Sequence, residues 1–91
     1  MSVLDQEEFV KLRSLKTKID PKEVEQILSE LELDTRKTND PHMSLIFVYA
    51  NHVEAVRRNK ETYSLIRTII EKYSAKLGIE GVKELILSSL S

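Results

Sequence analysis

The stretch that decides the fold runs from residue 19 to residue 31 and reads IDPKEVEQILSEL. Asp20 is a typical helix N-cap, Pro21 suits the first helical turn, and Glu23 stands where a capping box needs it. Ile19 and Val24 occupy the two positions of a hydrophobic staple. The apolar residues that follow recur with a helical period, at Val24, Ile27, Leu28 and Leu31. This stretch therefore predicts an amphipathic helix over 21–33.

The segment before it carries the same start signal. Asp5 is predicted to cap a helix, with Glu8 completing a second capping box and with Leu4 and Phe9 as the staple. The buried stripe of this helix is predicted to be Phe9, Leu12 and Leu15, joined by Ile19. A first helix is expected over 6–18.

The middle of the chain is more ambiguous. Residues 34–39 are polar and predict a loop, after which Asp40 and Pro41 restart a helix. Residues 45–50 (LIFVYA) would also suit a buried strand. We favour a helix over 41–58, because the apolar period continues through Val53 and Val56 and no partner strand is visible. A break near Asn59 is favoured over one continuous helix from 41 to 77.

The last third of the chain predicts two helices, over 61–77 and 80–90. Gly78 is expected to end the first of them in a left-handed conformation, with Ile79 folding back as in a Schellman motif. The predicted fold class is thus all-α, a compact orthogonal bundle of about five helices in a single domain over 1–91. Two glycines and two prolines in 91 residues leave little turn punctuation for a β-sandwich or barrel.

Composition and motifs exclude several classes of function. The sequence has no cysteine, and therefore no disulfide, thiolate metal site or cysteine nucleophile. His42 and His52 lack a second ligand at metal-binding spacing, and no phosphate loop, nucleophile elbow or zinc-protease motif is present. We expect no enzyme activity, no cofactor, no metal and no small-molecule substrate. Without a signal-peptide pattern or a long apolar run, we expect a cytoplasmic protein with no membrane partner.

The third predicted helix has a second apolar face. Leu45, Ile46, Tyr49, Val53 and Val56 form the face predicted to enter the core. The second face consists of Met43, Phe47 and Ala50. Phe and Met are favoured in interfaces, so this face predicts a site for a protein partner or for a second copy in a homodimer. The alternative is a central helix that its own bundle covers on both sides.

A basic bias suggests a second hypothesis. Residues 36–60 contain five basic and two acidic residues, a net charge of +3. The candidate nucleic-acid contacts are Arg57, Arg58, Lys60, Arg36 and Lys37; the alternative is a solvated helix end. Residues 73–79 (YSAKLGI) also resemble the first helix and turn of a helix-turn-helix. The resemblance fails beyond them, where Glu84 replaces a buried aliphatic residue and Lys83 is the one basic side chain.

In size, helical content and lack of cysteine, the chain resembles the small accessory subunits of crenarchaeal B-family DNA polymerases. No motif is matched residue by residue, so the resemblance implies no site. Together with the second apolar face, it predicts a non-catalytic interaction module or accessory subunit, in a DNA replication assembly. The alternative is a weak or helix-turn-helix-like nucleic-acid-binding protein.

Overall fold

Helix α2, Pro21–Thr38, begins where the sequence predicts. The structure, a computed structural model, describes residues 6–91. The Asp20 carboxylate accepts a hydrogen bond from the backbone N–H of Lys22 at 2.9 Å, which confirms the N-cap. The bond that would complete the predicted capping box, from the Asp20 backbone N–H to the Glu23 carboxylate, is not formed. The Glu23 carboxylate instead accepts hydrogen bonds from Arg58 and Tyr63, so it links α2 to other helices.

The C-terminal end of α2 corrects the predicted boundary at residue 33. The polar stretch predicted to be a loop continues the helix for five residues, to Thr38. Arg36 pairs with Glu32 one turn earlier at 3.3 Å, and the Thr38 hydroxyl donates to the Asp34 carbonyl at 3.2 Å. Asn39 then ends the helix with a left-handed φ of 57°. The polar composition of this stretch did not indicate a loop, because its side chains form ion pairs and hydrogen bonds along the helix.

The remaining helices confirm the predicted all-α class. They are α1 (Gln6–Ser14), α3 (Pro41–Asn51), α4 (Val53–Arg58) and α5 (Lys60–Leu90), with a short 3₁₀ turn at Lys16–Lys18. No residue from 6 to 91 lies in a β-strand, so the segment 45–50 is helical as predicted. The first helix ends earlier than expected, since the 3₁₀ turn replaces its last part. The predicted cap at Asp5 and the staple residue Leu4 lie outside the described residues.

Two non-helical residues divide the segment that follows Asp40. The Asp40 carboxylate caps α3 by accepting from the Met43 N–H at 3.2 Å, as predicted. The predicted helix 41–58 is interrupted at His52, where φ is −127° and ψ is 43°. Asn59 has a similar conformation, with φ of −128° and ψ of 49°, which confirms the break favoured there.

Gly78 divides α5 into two helical parts, as predicted. Its φ of 72° is positive as predicted, but its ψ of 162° lies outside the left-handed helical region. The second part begins immediately after the glycine, and the two parts of α5 correspond to the predicted helices 61–77 and 80–90. A helix-turn-helix needs a turn of about three or four residues between its helices. The single-residue kink therefore does not reproduce that motif.

The core is built around α5, which packs against α1, α2 and α3, while α2 also packs against α3. The core side chains with no exposed surface are Leu12, Val24, Leu31, Ile66, Ile69, Ile70, Val82 and Ile86. The Cα radius of gyration is 12.1 Å. A compact chain of this length is expected to have a value of about 12 Å. No helix between residues 6 and 91 is long and apolar enough to cross a membrane.

Replacing Gly78 by Ala should destabilise the protein through backbone strain. No atom lies within 4 Å of the position that a Cβ would occupy, so crowding is not the cause. A positive φ with ψ near 160° is a region that only glycine populates readily, and we expect a loss of about 1–3 kcal/mol in the free energy of unfolding. Thermal unfolding measures it. Lys76→Ala, at an exposed position of the same helix, is the control. An equal loss in both variants would argue against strain at Gly78.

Thr35 provides a second test of the C-terminal part of α2. Its hydroxyl oxygen is buried without a hydrogen-bond partner. Replacing it by Val removes the unpaired group, so the free energy of unfolding should rise by up to about 1 kcal/mol. The matched control is Thr38→Val, which should lower it by about 1 kcal/mol, because the Thr38 hydroxyl bonds Ser44 Oγ at 2.8 Å. Chemical denaturation of both variants compares them, and destabilisation by Thr35→Val would contradict the prediction.

Candidate functional site

Two carboxylates from different helices meet at one cationic atom. Arg36 Nη2 lies 3.3 Å from the Glu32 carboxylate and also bonds the carboxylate of Glu80, which follows the kink in α5. Lys83 Nζ lies 3.0 Å from the other oxygen of Glu32. We call these two acids the Glu32–Glu80 pair. The pair therefore holds two negative charges that this chain neutralises with its own Arg and Lys.

Local helix geometry explains half of this arrangement. Glu32 and Arg36 are four residues apart on α2, and Glu80 and Lys83 are three apart on α5, so each couple shares one side of its helix. The contact between the couples depends on how α5 continues after Gly78. The Glu32 side chain is 15% exposed and that of Lys83 24%, whereas those of Glu80 and Arg36 are 63% and 59% exposed. Glu32 and Lys83 are thus sheltered, whereas Glu80 and Arg36 are open to solvent.

The neighbouring cations keep Glu32 ionised. The hydrogen bond from Lys83 lowers the pKa of the Glu32 carboxyl below its ordinary value, and the charges of Lys83 and Arg36 act in the same direction. Partial burial opposes this shift. The hydrogen bond to Glu80 in turn raises the pKa of Arg36. The ionised Glu32 carboxylate therefore lies between two cationic side chains, those of Arg36 and Lys83.

Residues 6–91 hold no preformed metal cluster. Within them, no group of three or more His, Cys, Asp or Glu side chains is placed to hold a metal ion. Each histidine instead faces one carboxylate of another helix. His42 Nδ1 lies 3.1 Å from Glu71, and His52 Nε2 lies 2.9 Å from Glu30. Both histidines therefore connect helices.

A cleft of about 440 Å³ lies where α3 meets α4. Glu23, Asn51, Glu54 and Arg58 are among the residues that line it. Arg58 Nη2 lies 3.0 Å from one oxygen of Glu23, and the Tyr63 hydroxyl donates to the other at 3.1 Å. Since both oxygens of Glu23 are engaged by other helices, this cleft is a weaker candidate for an incoming cation than the Glu32–Glu80 pair.

The predicted nucleic-acid residues fall into two groups. Arg36 and Lys37 belong to the C-terminal end of α2, whereas Arg58 bonds Glu23 at the N-terminal end of the same helix. At a rise of about 1.5 Å per residue, Glu23 and Arg36 are about 20 Å apart along α2. Arg57 and Lys60 are exposed near Arg58 in the chain. The helices therefore do not assemble the five residues into one basic patch.

The predicted interface residues of the third helix lie on the surface. Met43 and Phe47 are 57% and 59% exposed, and Ala50 is exposed too. The alternative of a helix covered on both sides by its own bundle is therefore wrong. The prediction that Ile46 and Val53 enter the core is also wrong, since they are 48% and 45% exposed. The buried residues of α3 are Leu45, as predicted, together with Ser44 and Val48, and the break at His52 changes the phase before Val53.

Removing the Lys83 charge should raise the pKa of Glu32. In Lys83→Met the carboxyl loses its main stabilising hydrogen bond, so its pKa should return toward the ordinary value. Because the folded-state pKa of Glu32 is depressed, its contribution to stability is present above the unfolded pKa and is lost as the pH falls through the folded one. The side-chain carboxyl ¹³C shift of Glu32, followed against pH, measures this. Lys76→Met, an exposed lysine of the same helix, is the control and should leave the Glu32 titration unchanged.

Comparison with known proteins places the chain in a family. The model of the family described as "Calcium binding protein SSO6904" matches residues 1–90. The chain is also similar to the solution structure of an archaeal protein, SSO6904, from the hyperthermophile Sulfolobus solfataricus. The two are 45% identical with a TM-score of 0.90, over 100% of this chain and 92% of that one. No curated protein matches the chain.

These findings correct two predictions made from the sequence. The resemblance to accessory subunits of crenarchaeal B-family DNA polymerases is wrong, because the matching family is a different one. The predicted function, an interaction module or accessory subunit in DNA replication with nucleic-acid binding as its alternative, is wrong for the same reason. General size and helical content do not distinguish small helical proteins from one another. Matched over 90 of its 91 residues, the chain belongs to the calcium binding protein SSO6904 family.

Proposed function

We propose that this protein is a non-catalytic calcium-binding protein and that the Glu32–Glu80 pair receives the ion. The description of its family supports calcium as the ligand. The location is supported by one observation, the single guanidinium nitrogen of Arg36 that bridges carboxylates of α2 and α5. A divalent cation at that point would make the same two contacts. The cytoplasmic location expected from the sequence belongs to this proposal as well.

The ligand chemistry suits calcium better than smaller or softer cations. Ca²⁺ takes six to eight oxygen ligands in flexible geometry, whereas Mg²⁺ demands a near-ideal octahedron. One oxygen of Glu32 is bonded to Lys83, so the two carboxylates leave up to three oxygens for the ion. Water completes the shell, since residues 6–91 place no third acid at the pair. A site of this kind is weak, with an expected dissociation constant of about 1 mM or higher.

The two resident cations differ in how readily calcium replaces them. Arg36 is 59% exposed and bonds the exposed carboxylate of Glu80, so it can turn into solvent. The Lys83 side chain is only 24% exposed and bonds the sheltered oxygen of Glu32. We therefore expect calcium to displace Arg36 while Lys83 stays on Glu32. Arg36 then acts as a built-in competitor that sets the affinity.

A calcium titration followed by ¹H–¹⁵N NMR tests both parts of the proposal. In the unmodified protein, amide shifts should change at and around Glu32, Arg36, Glu80 and Lys83. Glu80→Gln removes one of the two carboxylates and should weaken binding by about tenfold, which corresponds to about 1.4 kcal/mol. Arg36→Met removes the competitor and should strengthen binding several-fold.

Two controls separate specific binding from general charge screening. Glu61→Gln, which removes a carboxylate at the opposite end of α5, should leave the affinity unchanged. KCl at matched ionic strength should not reproduce the shifts. If calcium produces no saturable change well above the expected dissociation constant, the function is wrong. If it binds with the same affinity in Glu80→Gln, the location is wrong.

A further inference from the structure

Unlike α2 and α3, α5 has no side-chain cap at its N-terminal end. Asn59 precedes the helix, but its side chain makes no capping hydrogen bond. The first backbone bond into the helix runs from the Tyr63 N–H to the Asn59 carbonyl at 3.0 Å. The N–H groups of Lys60, Glu61 and Thr62 therefore have no partner among residues 6–91. Three unpaired donors thus remain at the positive end of the longest helix.

A cavity of about 250 Å³ lies at this end of α5. It is lined by the first residues of the helix and by Leu15 and Lys18, which belong to the segment between α1 and α2. Pockets that enclose drug-sized ligands have volumes of roughly 300–1,000 Å³. The cavity is smaller, so it suits an ion or a small molecule.

Thr62 supplies the observation that points to a ligand. It lines the cavity and is only 2% exposed, yet its hydroxyl makes no hydrogen bond within residues 6–91. Among these residues, Thr35 has the only hydroxyl that is both unbonded and fully enclosed. The Thr62 hydroxyl therefore keeps a small accessible surface, and the cavity is the space that it faces. Because polar groups at this depth are normally bonded, this hydroxyl is an unused donor at the cavity wall.

The charges around the cavity favour an anion. Lys18 and Lys60 are exposed, and neither forms an ion pair within residues 6–91. Arg58 also lines the cavity, although its guanidinium already bonds Glu23. Glu61 is the one acid among the described lining residues. Two free lysines and the positive helix end therefore outweigh a single carboxylate.

We propose that the N-terminal end of α5 binds a phosphate group, as inorganic phosphate or as a small phosphate monoester. The phosphate oxygens accept hydrogen bonds from the free N–H groups of α5 and from the Thr62 hydroxyl. A phosphate group carries nearly two negative charges at neutral pH, which Lys18 and Lys60 balance. The site is about 27 Å from Gly78 along the helix axis, so it uses no residue of the Glu32–Glu80 pair.

A titration with inorganic phosphate, followed by ¹H–¹⁵N NMR in calcium-free buffer at constant ionic strength, tests the site. The amide signals of Lys60, Glu61 and Thr62 should shift along one saturable curve. Thr62→Val keeps the shape of the buried side chain but removes the hydroxyl, so it should weaken binding about tenfold. Its melting temperature should not fall, because the hydroxyl has no partner to lose. Thr68→Val is the matched control and should bind phosphate normally, since the Thr68 hydroxyl bonds the Ser64 carbonyl.

A second variant tests the helix end without changing a buried side chain. Asn59→Asp places a carboxylate beside the free N–H groups, where it occupies or repels the position of the anion. Phosphate affinity should fall at least about tenfold, whereas the melting temperature should not fall, because an acid is favourable at a helix N-terminus. Lys18→Met should weaken binding several-fold, and Lys76→Met, at an exposed position further along α5, should not.

A parallel titration with glycerol phosphate distinguishes the two sources of the phosphate group. Tighter binding than that of inorganic phosphate would identify a monoester as the ligand, and equal or weaker binding would identify the free ion. Three results would overturn the proposal: shifts that do not saturate, equal shifts with chloride at the same ionic strength, or an unchanged affinity in both Thr62→Val and Asn59→Asp.

Discussion

The positive φ of Gly78 is the constraint on which the arrangement of α5 depends. With φ of 72°, this residue lets the chain change direction and resume the helix without a loop. Before the kink, Ile66, Ile69 and Ile70 enter the core; after it, Val82 and Ile86 enter the same core at a new angle. The kink also sets Glu80 and Lys83 against α2. One backbone conformation thus determines both the packing of the last helix and the assembly of the Glu32–Glu80 pair.

Tyrosine hydroxyls hold the other helices to α5. The Tyr49 hydroxyl donates to the Tyr63 carbonyl at 2.7 Å, and the two rings meet edge to face at 5.6 Å. The Tyr63 hydroxyl donates to Glu23, and that of Tyr73 donates to the buried Glu8 of α1. Burial raises the pKa of Tyr49 and Tyr63, so both remain neutral donors. Apolar burial supplies most of the driving force, and these bonds specify which helix faces meet.

The proposed calcium site and the stability of the fold are separate matters in this architecture. Small metal-dependent domains leave their ligands uncompensated when the ion is absent, and they unfold. Here the charges of Glu32 and Glu80 are balanced by Arg36 and Lys83, and the core lies elsewhere. At the proposed site, the ion would exchange with the cation that the chain itself supplies at its surface. Exchange of this kind links affinity to the strength of the internal ion pairs.

Local signals in the sequence determined the starts of α2 and α3, the break at Asn59 and the positive φ at Gly78, because caps and glycines act through neighbouring backbone atoms. They also marked Met43 and Phe47 as residues outside the core. The Glu32–Glu80 pair could not be foreseen: the spacing of Glu32 and Arg36 was visible, but contact with Glu80 requires two helices to meet. The exposure of Ile46 was likewise decided by tertiary packing, since the way α3 packs on α2 and α5 determines which of its faces is buried.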